Sequence, residues 1–390
     1  MLPQSAKPSG RFRGAALAIV SSALVLASAA GGAVAFAPTP TSPVYGGIPG
    51  ALPPGFRYVY NDSYQGWPVN PRHAQHPIRG SFIDPRGKDD TGLSGYHFGI
   101  DISVDDHHPD PGAPPLLSHR VYALESGTVS MPANELVHPC LDRRIEVGHF
   151  AYWHVSPVVS VRQYVRAGVQ IGWTCRGVWH VHLSEWQVYQ GKRVWVNPLH
   201  KGGRLSPYVD TSPPLVRALV FVTPPVQPWL PTVSLAQPDT SAQLSPSGLH
   251  GLVELRANIT DPQSFLGFLS QNPAWPTGFA PYRVAVQIRD ARTGRVVMNR
   301  VSFKADQLPQ TPYVVHYAPR TIEDDNMQEC VGPPALSKCI GTYWFRPFSR
   351  FREEYWNTRT VPNGRYTVTV RAYDVAGNVG SRNAEVTIKN

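Results

Sequence analysis

The sequence predicts an all-β protein. Aromatic and β-branched residues are plentiful, and no long run of helix formers interrupts them. Forty prolines and 33 glycines cut the chain into short segments of strand length. The 390 residues suggest two folded domains rather than one. With 42% hydrophobic residues the chain can bury ordinary cores, which argues against wholesale disorder.

The N-terminus reads as an export signal over residues 1–37. Lys7, Arg11 and Arg13 form a basic start, and an apolar stretch runs from Gly14 to Phe36. Ala33-Val34-Ala35 supplies a small-x-small cleavage pattern, with Ala35-Phe36-Ala37 as a second option. An uncleaved anchor is the alternative, since about 20 apolar residues span a bilayer. The cleaved form is expected to be secreted or held in the cell envelope, without stable membrane insertion. A formal net charge of +9 suits residence near anionic polymers. No dense Lys/Arg run supports a nucleic-acid partner. The four cysteines fall as Cys140 with Cys175 and Cys330 with Cys339. In an oxidising compartment two disulfides are expected; no C-x-x-C spacing favours a cysteine metal site.

Residues 38–55, rich in Pro, Gly, Thr and Ser, read as a linker. Residues 56–210 form a segment dense in His, Trp and Tyr. Residues 211–240 combine a Pro-rich linker with the start of a C-terminal module. Residues 241–390 read as short strands, including 251–260, 282–290, 295–304 and 365–374. Turn signals such as Pro362-Asn363-Gly364 and Thr293-Gly294 separate them, which predicts a β-sandwich. Asp374 and Asn378 are expected to form a turn rather than a calcium site.

All but His250 and His316 of the 14 histidines lie from His73 to His200. Strand phase singles out a few of them. From Tyr96 to Ser103, Tyr96, Phe98, Ile100 and Ile102 alternate with His97, Gly99, Asp101 and Ser103. This period-two pattern puts His97 and Asp101 on one face, with Gly99 leaving room between them. From Trp179 to Glu185, Trp179, Val181 and Leu183 alternate with His180, His182 and Ser184. Tyr152, His154 and Ser156 alternate with Trp153 and Val155, predicting a third strand with an imidazole on its polar face. Catalytic zinc takes three imidazole or carboxylate ligands and leaves a fourth position for water. His97, Asp101 and either His180 or His182 would supply those three, leaving further histidines for proton transfer.

The run Gly95-Tyr96-His97-Phe98-Gly99-Ile100-Asp101 resembles the H-x-G-x-D motif of the lysostaphin-type, or LytM-like, peptidoglycan metalloendopeptidases. Val121-Tyr122-Ala123 and Gly127-Thr128-Val129 resemble the strand and turn that follow it. Tyr152-Trp153-His154-Val155-Ser156 is similar to that family's Y-x-H-L-S. Residues 165–172 resemble its V-x-x-G-x-x-I-G, His180-Val181-His182 its H-x-H, and Val196-Asn197-Pro198 its closing V-D/N-P. The ordered set spans Tyr96 to Pro198, about a quarter of the chain. The resemblance implies an antiparallel β-sheet catalytic domain over residues 56–210. It also implies zinc held by His97, Asp101 and His182, with His154 and His180 as catalytic histidines. The implied substrate is the peptide portion of bacterial peptidoglycan. The ending, Gly364 to Val370 and then Asp374 to Asn378, resembles immunoglobulin-like modules of exported bacterial proteins. From that architecture the module is expected either to position the enzyme or to bind a wall polymer.

Some positions depart from the family pattern. Thr174-Cys175-Arg176-Gly177-Val178-Trp179 replaces the usual T-G-x-x-T/S-G, and Ser184 stands where a Glu is frequent. An insertion after Asp101 carries Asp105-Asp106-His107-His108-Pro109-Asp110 and reads as a solvated polar loop. A non-catalytic envelope binding or hydrolase-activating protein of the same fold is the competing expectation; intact ligand positions favour the enzyme. No G-x-S-x-G supports a serine hydrolase.

Overall fold

Every regular element is a strand or a single 3-10 turn in the computed structural model. It describes residues 47–85, 95–104, 108–131, 144–225, 239–265, 278–311, 313–318, 321, 343–349 and 355–390. Among these residues there is no α-helix, hence none long and apolar enough to cross a membrane. All strand pairs are antiparallel. The all-β expectation is therefore met. The export signal, Asp105 to His107, and Cys140, Cys330 and Cys339 lie outside the described residues.

The His-rich half begins with β1 (Ile78–Gly80), β2 (Ile100–Ser103), β3 (Leu117–Tyr122), β4 (Gly127–Thr128), β5 (Arg144–Val147) and β6 (Phe150–Trp153). It continues with β7 (Val155–Pro157), β8 (Tyr164–Val165), β9 (Gln170–Cys175), β10 (His180–Tyr189) and β11 (Lys192–Val196). A six-stranded sheet has the order β1-β2-β10-β6-β5, with β11 also paired to β10. A smaller sheet runs β3-β9-β7. Ile100, Ile102, Val181, Leu183, Phe150 and Tyr152 are fully buried in the core shared by these strands.

The second half supplies β12 (Leu215–Val222), β13 (Leu252–Pro262), β14 (Gly278–Phe279), β15 (Arg283–Asp290) and β16 (Val296–Lys304). Then come β17 (Tyr343–Phe345), β18 (Trp356–Asn357), β19 (Gly364–Tyr373) and β20 (Val379–Ile388). Four expected strands appear here as β13, β15, β16 and β19, within two residues of their expected ends. β16, β15, β19 and β20 form one sheet, and β12, β14, β17 and β18 gather around β13. Along β19 the burial alternates: Tyr366, Val368, Val370 and Ala372 enter the core while their neighbours do not. β13 is buried on both faces, so its polar side chains need partners. Arg256 and Arg346 supply them to Glu254, at 2.7 and 2.9 Å.

Residues 39–390 form one compact unit, and the two halves meet along a bonded seam. Asn197 N donates to Asp306 O, and Leu308 N to Trp195 O. Pro49 and Gly50, in the stretch read as a linker, accept from Lys304, Asp306 and Gln307 backbone amides. The turn at Asp374 also touches the seam. Its Oδ1 accepts from Gly377 N and Asn378 N, while Asn378 Nδ2 donates to Asp210 O.

Candidate metal centre

The site forms where β2 and β10 run side by side. Their register sets His182 opposite Asp101 and His180 opposite Ser103. The approach is close, and Gly99 permits it. A Cβ there would lie 2.5 Å from Leu183 O, 2.6 Å from His182 Nε2 and 2.7 Å from Ser184 Oγ. The expected strand from Tyr96 is shorter than alternation suggests, because β2 begins only at Ile100. His97 sits on the preceding extended arm, tied through His97 N to Asp84 O and through His97 O to Ile83 N. The apolar phase still holds: Tyr96, Phe98, Ile100 and Ile102 are all buried.

Three donor atoms converge. His97 Nε2 is 2.8 Å from His182 Nδ1 and 3.2 Å from Asp101 Oδ1, and His182 Nδ1 is 3.0 Å from Asp101 Oδ1. His97 and His182 are 3% and 7% exposed. The partners on the far side of each ring decide what these atoms present. His97 Nδ1 lies 2.8 Å from Ser81 O, which can only accept, so Nδ1 donates and Nε2 carries a lone pair. Ser184 Oγ lies 2.9 Å from His182 Nε2 and, by accepting there, can leave the Nδ1 lone pair inward. Burial raises the carboxyl of Asp101, but His97, His180 and His182 together outweigh it and hold it well below the usual range. Two imidazole nitrogens and a carboxylate oxygen facing one another are a donor set that a cation could bridge. Tetrahedral donors about 2.0–2.1 Å from zinc lie about 3.3 Å apart, close to the spacing seen. Among the described residues this is the group able to hold a metal ion.

His180 and His154 lie beside the donors. His180 Nε2 is 3.7 Å from Asp101 Oδ1, and its Nδ1 donates to Val178 O at 2.7 Å. Burial pushes the His180 imidazole well below its ordinary range. Asp101 opposes that shift, while His154, Arg79 and His182 add to it. The ring of His154 stands edge-on to His180 with centroids 4.8 Å apart. The expected third strand is broken here. His154 has φ 64° and turns the chain from β6 in the large sheet to β7 in the small one. A left-handed non-glycine residue stores strain that the surroundings must hold. Trp179, just before His180, has φ 54° and is 39% exposed.

The other candidate positions have structural roles. Asp110 is bonded to Asn70 Nδ2 and Arg120 N, away from the donors. Cys175 is buried in β9 and is disulfide-bonded, its partner lying outside the described residues. Sequence reasoning missed Arg79 and Ser81. Arg79 Nη1 lies 3.2 Å from His180 Nδ1, and Ser81 bonds His97. Neither contact leaves a periodic signal. No family model, curated protein or solved structure matches the chain.

Proposed function

We propose that the chain is an exported zinc metalloendopeptidase that hydrolyses peptide bonds in bacterial peptidoglycan. One observation carries the reading: His97 Nε2, Asp101 Oδ1 and His182 Nδ1 converge, with His180 and His154 packed beside them. These are the five positions that the motif resemblance assigns. The finer fold assignment, a lysostaphin-type sheet followed by an immunoglobulin-like sandwich, belongs to the same reading. The six-stranded sheet bearing the donors and the alternation along β19 support it. Export rests on the basic and then apolar N-terminus, and the substrate class on the resemblance.

His97, Asp101 and His182 would hold the zinc, which would supply an acidified water and Lewis-acid polarisation of the scissile carbonyl. The chain does the rest. Val178 O holds the Nδ1–H of His180, so its Nε2 keeps a lone pair on the donor side of the ring. Burial keeps that imidazole neutral, ready to accept a proton from water and return it to the leaving amine. His154 supplies a hydrogen bond to the oxyanion that develops as the carbonyl is attacked. Its strained corner fixes the ring against His180.

Incubating the mature protein with purified cell walls tests the proposal. New peptide amino termini should appear, and a chelator should abolish them. Zinc-loaded protein that releases none would shift the reading to a non-catalytic envelope protein.

A further inference from the structure

The C-terminal half reaches the metal centre through a short segment, residues 78–84, besides packing Tyr313, His316 and Tyr317 on Tyr96 next to His97. β1 is the edge strand of the large sheet, so one side of its backbone has no strand partner among the described residues. The side chain of Gln263, which directly follows β13, fills that place. Ile78 N donates to Gln263 Oε1 at 2.7 Å, and Gln263 Nε2 donates to Ile78 O at 2.6 Å. A carboxamide thus stands in for an added strand.

The next residue is irregular. Ile78 pairs with Ile102 and Gly80 with Asp101, so Arg79 is an extra residue bulged out of the ladder. Bulges re-aim a side chain. This one sends Arg79 Nη1 to 3.5 Å from Val178 O, the carbonyl that accepts from His180 Nδ1, and packs it 3.2 Å from that nitrogen. Two residues on, Ser81 O fixes the His97 ring. Further along, Ile83 and Asp84 hold the His97 backbone. The C-terminal half grips that end as well: Tyr317 Oη donates to Ile83 O at 3.0 Å, and Ala280 N to Asp84 Oδ1 at 3.1 Å. Residues 78–84 are therefore held from outside by Gln263, Ala280 and Tyr317. Inwardly they hold one donor ring and reach Val178 O, the carbonyl that holds the neighbouring imidazole.

We infer that the C-terminal module is a structural part of the metal centre, with Gln263 its principal positioning residue. The inference rests on the metal-site reading above and adds to it. The module sets the orientation of His97 and His180 through Ile78 and the Arg79 bulge, whatever else it binds. Partners that orient ligand rings are typically worth about 10–100-fold in metal affinity. Gln263 acts one step further out, so the lower end of that range is expected.

The test is zinc affinity of the full chain, by competition with a chromophoric chelator, alongside thermal melting of the metal-free protein. Gln263→Met keeps the size of the side chain and removes both hydrogen bonds. Tyr366→Phe is the control. It removes one hydroxyl bonded to Pro362 O within the C-terminal half, far along the chain from β1. Gln263→Met should weaken zinc binding about tenfold, while Tyr366→Phe leaves it within twofold of wild type. Equal affinity in Gln263→Met and wild type overturns the inference. If Gln263→Met fails to fold, Tyr317→Phe is read in the same way, against the same control. Absence of zinc binding in the wild type would instead overturn the metal-site reading itself, so the two failures are distinguishable.

Discussion

Replacing Gly99 with alanine places a methyl group in the narrowest part of the site. Its Cβ would sit 2.5 Å from Leu183 O, where ordinary contact begins at 3.4 Å, a shortfall of about 0.9 Å. The obstacle is a backbone carbonyl in a paired strand, with Leu183 opposite Ile100, so it cannot swing aside as a side chain would. Relief requires β2 and β10 to separate locally, at a cost of about 1–3 kcal/mol, the usual range for overpacking. The same methyl meets His182 Nε2 at 2.6 Å and Ser184 Oγ at 2.7 Å, so it also disrupts the bond that orients the ring. Acceptable zinc–donor distances span only about 0.2 Å either side of their ordinary values. Zinc affinity should therefore fall at least about tenfold, and the metal-free protein should melt earlier. Gly248→Ala is the matched control, because a Cβ there meets nothing within 4 Å. Chelator competition and melting curves on both variants check this. A Gly99→Ala protein with wild-type affinity and wild-type melting would refute the packing argument.

Three further outcomes follow from the same geometry. His182→Ala should lose the metal, whereas His154→Ala and His180→Ala should keep most of it and lose activity; metal content measured beside turnover separates the roles. Ser184→Ala removes the hydroxyl 2.9 Å from His182 Nε2 and should weaken zinc binding about tenfold in the same competition assay. In the seam, burial and then Asp374, Asp210 and Asp84 raise the carboxyl of Asp261 to about 9. The folded state therefore binds this proton more tightly than the unfolded chain, whose carboxyl titrates near 4. Stability from this group is full at low pH and declines as pH rises from about 4 to about 9. Asp261→Asn removes that decline, with a ceiling of about 4 kcal/mol at pH 7. Its melting advantage over wild type should widen between pH 5 and pH 8; parallel curves would contradict the assignment.

Strand phase made much of this legible before any coordinates. Val181 and Leu183 face the core and His182 the site because the start of β10 alternates. Trp179, expected in the same apolar phase, instead precedes the strand at φ 54° and is exposed, and past Glu185 the alternation ends. β13 is buried on both faces and β16 shows no period of two, whereas β15 and β19 follow the same alternation. His154 escaped it, since a left-handed corner at a histidine carries none of the Gly or Asn signals that mark such turns. His97 escaped it partly, because it precedes β2 and its backbone bonds Ile83 and Asp84 instead of joining the large sheet. Ser184, read as a departure from the family pattern, bonds the His182 ring directly. The supporting contacts were beyond pattern reading altogether. Gln263 meets Ile78 across 185 residues, and only the folded seam brings them together.

The central claim is that His97, Asp101 and His182 form one metal site, and elemental analysis of gently purified protein tests it most directly. The account predicts about one zinc per wild-type chain and almost none in His182→Ala. Wild-type protein that carries no zinc and takes none up on titration would contradict it.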